Sequence, residues 1–142
     1  MDSLGGEEAG GYNSVKTILS ILAAVMLAGT CWAWDTIRLD VPAGAKEAGW
    51  RDALADLWHG QTEVVIPFGR IDVMTDNYVV EIDFLHKWTE CFGQALFYSY
   101  STGQQGICAL IVENPAAVKD KLMMIEKLLN KYDLGLIVLT SK

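Results

Sequence analysis

Three carboxylates in the middle of this 142-residue chain, Asp72, Glu81 and Asp83, stand where acids are costly unless water or a cation meets them. Arg70 to Met74 and Tyr78 to Phe84 each read as strands, separated by the turn residues Thr75-Asp76-Asn77. In the second strand Glu81 and Asp83 are two apart and point to one face, while Val80, Ile82 and Phe84 point to the other. The apolar face is core. Hard divalent cations such as Mg²⁺ are held by one or two carboxylates, with water and substrate phosphate completing the shell. A solvated outer face of an antiparallel sheet produces the same alternation, so the acids alone leave both readings open.

The segment that follows favours the cation. From about His86 to Tyr100 the pattern is helical, and at about 100° per residue Lys87, Gln94 and Tyr98 fall near one line. Trp88, Phe92, Ala95 and Ser99 lie around another face. An amine, an amide and a phenol are thereby aligned on the helix directly after the acidic strand. His86 reads as a helix-start residue and His59 as a surface histidine beside a turn.

The elements that position these groups follow from periodicity and breakers. Residues 34–45 read as a linker, with Pro42 and Gly44 as breakers. Lys46 to Trp58 reads as a helix, because Trp50, Ala53, Leu54, Leu57 and Trp58 form one apolar stripe that Gly60 ends. Thr62 to Ile66 is a short strand, turned by Pro67-Phe68-Gly69 into the two strands already described. After the Lys87 helix and the loop Ser101 to Gly106, Ile107 to Val112 is an apolar run suited to a strand buried on both faces. Asn114-Pro115 opens a helix to about Lys131 that buries Val118, Leu122, Ile125, Leu128 and Leu129. Leu134 to Leu139 is a last strand. The order is αβββαβαβ, an α/β domain over residues 46–142 with a mixed central sheet flanked by helices.

On these residues the chain resembles a family. Arg70-Ile71-Asp72, Glu81-Ile82-Asp83-Phe84, Lys87-Trp88-Thr89-Glu90 and Gly93-Gln94-Ala95-Leu96-Phe97-Tyr98 look like the PD-(D/E)xK, or restriction-endonuclease-like, nuclease superfamily. More narrowly they resemble small exported bacterial members, over about Lys46 to Leu139. The Gln94-x-x-x-Tyr98 spacing resembles that of RecB-like nucleases. The resemblance implies an αβββαβ core and a site in which Asp72 and Glu81 hold one Mg²⁺ or Mn²⁺, helped by Glu63 or Asp83. It implies that Lys87 orients water or stabilises charge, that Gln94 and Tyr98 position the nucleic-acid backbone or the lysine, and that Arg70 neutralises a phosphate. One departure stands out. The family's usual lysine lies two residues after the glutamate, where this chain has Asp83, and Lys87 is the substitute. A relative that keeps the fold without hydrolysis, as an envelope binding or structural module, is the alternative. An exported toxin or its partner is a third class that no residue selects.

Charge and composition bound these readings. A formal charge of −7 argues against coating nucleic acid by bulk charge, which needs Lys and Arg against phosphates. Lys119, Lys121, Lys127 and Lys131 on the last helix read either as a basic surface or, more simply, as its solvated face. Cys31, Cys91 and Cys108 show no C-x-x-C pairing, and with two histidines in the chain a zinc site is not expected. Cys91 and Cys108 are free to bridge in an oxidising compartment.

Residues 1–33 read as a leader. Thr17 to Trp34 is uncharged and apolar, Lys16 precedes it and Cys31-Trp32-Ala33 follows, the pattern of an export signal cleaved after Ala33. An uncleaved anchor over residues 17–34 is the rival, since about 18 such residues just span a bilayer. Ala28-Gly29-Thr30-Cys31 lacks the apolar residue a lipoprotein signal places before its cysteine. The acidic start, with Asp2, Glu7 and Glu8, fits a signal badly, which suggests translation from Val15 read as a GTG codon. Loss of residues 1–33 removes three acids and one lysine and leaves a charge of −5. An exported, periplasmic or secreted nuclease acting on DNA or RNA is the expectation.

Overall fold

A computed structural model describes residues 34–142, so the leader, its cleavage and the Val15 start lie outside the described residues. Alternating apolar residues form a six-stranded mixed sheet: β1 (Asp35–Leu39), β2 (Gln61–Ile66), β3 (Gly69–Met74), β4 (Tyr78–Phe84), β5 (Gln105–Ile111) and β6 (Gly135–Ser141). Three helices accompany it: α1 (Glu47–Trp58), α2 (Trp88–Thr102) and α3 (Lys119–Asn130). The spatial order is β1-β6-β5-β4-β3-β2, antiparallel through β2, β3 and β4 and parallel through β4, β5, β6 and β1. Among the described residues no helix is long and apolar enough to cross a membrane.

Both faces of the sheet are covered, and β5 shows why its sequence is apolar throughout. Ile107, Ala109 and Ile111 face Trp50, Leu54 and Ala55 of α1. Cys108 and Leu110 face Cys91 and Ala95 of α2 and Leu122, Ile125 and Leu129 of α3. Gly106, at the start of β5, is required by close approach: a Cβ there would lie 2.7 Å from the Ala95 carbonyl oxygen and 2.9 Å from Ser99 Cβ.

Four expectations need correction. Residues 34–45 are not simply a linker, because Asp35–Leu39 is an edge strand paired in parallel with β6. Leu57 is 55% exposed and leaves the α1 stripe, which turns at Trp50 and Leu54 toward the core. The second helix does not begin at His86: Leu85–Lys87 is a 3₁₀ turn, and α-helical geometry starts at Trp88. The third helix likewise enters through a 3₁₀ turn, Pro115–Val118, capped by the Asn114 side chain accepting from Ala117 N–H at 3.3 Å.

Cys91 and Cys108 form a disulfide that ties α2 to β5 across a sequence separation of 17. Closing a loop of that size in the unfolded chain stabilises a fold by about 3 kcal/mol. Replacing both cysteines by Ala is therefore expected to lower the unfolding free energy by about that amount in a denaturant titration. An unchanged midpoint would show that the bridge does not form.

Candidate active site

The meander comes apart where its acids lie. β3 and β4 pair at Val73↔Val80 and Met74↔Val79, and beyond these positions the strands separate. The Ile82 N–H then lacks a β3 carbonyl, and Asp72 Oδ2 accepts it at 2.9 Å. A strand opening filled by a carboxylate is the start of a cleft. Its volume is about 450 Å³, and its lining is almost wholly polar. Arg70, Asp72, Glu81, Asp83, Lys87, Gln94 and Tyr98 all contribute to that lining.

Glu81 is the most strongly perturbed of these groups. It is 6% exposed, and its Oε2 is buried without a hydrogen-bond partner. Burial, then the charges of Asp72 and Asp83, push its carboxyl up to about 9, above the ordinary value of 4.5. Asp72 is also raised, first by burial, with the Ile82 N–H pulling the other way. Asp83 is buried, with Oδ1 accepting from Phe84 N–H at 3.1 Å, and is raised to about 6 by burial and by Glu47, against the lowering effect of Lys87.

The 3₁₀ turn after β4 brings Lys87 back over the strand it follows. Its Nζ donates to Glu47 Oε1 at 2.9 Å and lies 3.4 Å from Asp83 Oδ1. Glu47 and Asp83 hold the ammonium above its usual range, so the amine is cationic throughout the neutral region. A cationic amine can donate a hydrogen bond and offer charge there but cannot accept a proton. Glu47, in the first turn of α1, was not found by sequence reasoning. An acid there reads as an ordinary complement to a helix N-terminus, and nothing local signals that it reaches a lysine 40 residues away. Glu90 also lines the cleft and was missed.

The aligned side chains of α2 meet the β2–β3 hairpin. Tyr98 is buried and donates its hydroxyl to the Arg70 carbonyl at 2.9 Å, while Gln94 Nε2 lies 3.4 Å from that hydroxyl. Gly69 makes room for the ring: a Cβ at that position would sit 2.6 Å from Tyr98 Cε1. Gln94 and Tyr98 thus fix the strand that carries Arg70 and Asp72.

Glu63 departs from its expected place. Its backbone φ is 57°, the ladder skips it between Thr62↔Val73 and Val64↔Ile71, and its carboxylate pairs with Arg51 and with Arg70, the latter at 2.7 Å. Of the two expected helpers to Asp72 and Glu81, Glu63 is engaged by Arg51 and Arg70, and Asp83 by Lys87. Among the described residues no group of three or more His, Cys, Asp or Glu side chains is placed to hold a metal ion. What does fit a hard cation is narrower. An orphaned, buried carboxylate oxygen on Glu81 stands beside the Asp72 carboxylate in a polar cleft open to water. Two such oxygen donors suffice where water and a phosphate supply the rest of the shell.

The fold and cleft define an α/β protein with a carboxylate–lysine site between diverging strands. No protein-family model matches the chain, and no solved structure matches it. A putative KilA-N domain-containing protein, L33, of Acanthamoeba polyphaga mimivirus is 30% identical over 91 residues, 64% of this chain and 36% of that protein. The chain thus spans little more than a third of the length of that relative.

Proposed function

We propose that this chain is a metal-dependent nuclease of the PD-(D/E)xK kind, hydrolysing phosphodiester bonds of nucleic acid outside the cytoplasm. The observation that carries the reading is the Glu81 carboxylate, enclosed and unpartnered next to Asp72, with a charged Lys87 amine on the same cleft. From α1 onward the elements run αβββαβαβ, an order compatible with a restriction-endonuclease-like core. The mimivirus relative, named for a KilA-N domain, is the likeness that supports nucleic acid as the partner.

In this reading Asp72 and Glu81 would hold one Mg²⁺ or Mn²⁺, and Asp83 serves mainly to anchor Lys87. A cation held there would supply Lewis acidity toward a phosphate oxygen and toward water. Lys87 places its positive charge where the attacked phosphate gains negative charge, and Glu47 and Asp83 hold it there. Arg70 contacts a neighbouring phosphate, oriented by Glu63 on one side and by Tyr98 through its backbone. Export is supported by the apolar segment 17–34 and by the Cys91–Cys108 bridge, since disulfides persist in oxidising compartments.

A second reading has its own observation. The Lys87 amine is bonded to Glu47 and Asp83, and Asp83 stands where the family's lysine is usual, as in a relative that keeps the fold for binding. Incubating the full chain with plasmid and single-stranded DNA in Mg²⁺, Mn²⁺ or EDTA separates the two. Cleavage in either metal but not in EDTA supports the nuclease. Intact DNA in every arm, and intact single-stranded RNA under the same conditions, reject it.

A further inference from the structure

The hairpin between β2 and β3 ends on a residue that neither the fold nor the cleft chemistry explains. Phe68 is 98% exposed, and its backbone φ is 68°. A left-handed conformation is unfavourable for a residue with a Cβ, and turns that need it ordinarily take Gly, Asn or Asp. Glycine is the next residue in the chain. An exposed phenyl ring is also left in water at the tip, with no core contact to offset it. Two separate costs therefore fall on one position, and that position is on the rim of the cleft that holds Asp72 and Glu81.

The surroundings say what such a ring could meet. The hairpin lies against α2, where Phe97 Cε1 would be 3.2 Å from a Cβ on Gly69, and the Phe97 side chain is itself partly exposed. Arg70, two residues on, has a side chain 64% exposed. Phe68 and Arg70, whose guanidinium also pairs with Glu63, line one cleft, and an aromatic ring and a cation on one groove are the means by which proteins hold an unpaired nucleotide, stacking its base and pairing its phosphate. A duplex offers no free base face to a single exposed ring. The cleft also carries Glu47, Asp72, Glu81, Asp83 and Glu90 against Lys87 and Arg70, which disfavours the doubled phosphate density of a duplex more than a single strand.

We propose that Phe68 is a base-stacking residue and that the strand entering the cleft is unpaired next to the scissile phosphate: a single strand, a flap or a frayed end. The proposal rests on the nuclease reading for its phosphate site, but its test does not need hydrolysis. Binding of the full chain to fluorescein-labelled oligothymidylate and to a duplex of equal length is read by anisotropy in EDTA. Phe68→Ser is expected to weaken single-strand binding by about tenfold or more, since each stacked base contributes on that scale, and Phe68→Trp to restore it. Duplex binding should be weaker than single-strand binding and indifferent to Phe68. Because the ring is outside the core, the melting temperature of Phe68→Ser should match the parent, which keeps the comparison free of misfolding. A fluorescent purine analogue in the oligonucleotide should report stacking with Phe68 and lose that signal in Phe68→Ser. Equal single-strand affinity in parent and Phe68→Ser, no oligonucleotide binding at all, or a change in oligomeric state alone would each overturn the proposal. The last outcome would assign the ring to contact with a second copy. Phe68-dependent binding without cleavage in Mg²⁺ would remove the nuclease reading and leave the stacking intact.

Discussion

Glu81→Gln should abolish metal-dependent cleavage and, in metal-free buffer, make the protein more stable. Both effects come from one enclosed carboxyl. In the folded chain its pKa is about 9, whereas an unfolded glutamate titrates near 4.5. Below the lower value both states are protonated, and the group adds no pH dependence. Between the two values the unfolded chain ionises while the folded chain keeps its proton, so stability of the metal-free parent falls as pH rises and levels off above about 9. Glutamine does not titrate. The variant should therefore gain on the parent progressively from pH 5 to pH 8, reaching on the order of a few kcal/mol in urea titrations. The sign then reverses on adding Mn²⁺, which stabilises the parent by mass action and leaves Glu81→Gln unmoved. Cleavage should fall to background in the same variant, because an amide cannot hold a hard cation as a carboxylate does. Parallel stability curves for parent and variant across this pH range would mean that the carboxyl is solvated.

Lys87→Ala carries the second large effect. The amine is cationic, anchored by Glu47 and Asp83, and placed on the cleft that holds Asp72 and Glu81. Removing a preorganised charge from beside a developing anion lowers turnover by about a hundred- to a thousandfold. Metal affinity should change little, since lysine is not a ligand, and the loss should appear in kcat. Lys87→Arg should restore part of the rate, because the charge persists but the guanidinium is a planar fork rather than a point charge. Because Lys87 stays protonated, the rate should not depend on its deprotonation in the neutral range. A Lys87→Ala enzyme with the parent kcat would show that the amine belongs to the Glu47 and Asp83 ion pairs alone.

The acids of this site were legible because strand periodicity is simple. With Val80 and Ile82 committed to the α1 face, Glu81 and Asp83 had to point the other way, and they line the cleft together with Lys87 of the 3₁₀ turn. The Lys87, Gln94 and Tyr98 alignment was also legible, and all three line the cleft although the turn at Leu85–Lys87 is 3₁₀. What escaped depended on contacts distant in sequence. Asp35–Leu39 is short, with Asp35 and Arg38 in its pattern, and becomes a strand by pairing with β6 about a hundred residues later. Glu47 was hidden in the same way. Glu63 was misplaced because its acid type suggested a ligand, while its left-handed backbone and two arginine partners were visible only in three dimensions.

Calorimetric titration of Mn²⁺ into the metal-free full chain at neutral pH, in two buffers of different ionisation enthalpy, bears most directly on whether these carboxylates form a cation site. Saturable binding accompanied by proton release is expected, the proton coming from Glu81, with loss of that binding in both Asp72→Asn and Glu81→Gln. Heat indistinguishable from dilution in the parent, or equal binding in the parent and both variants, would contradict it.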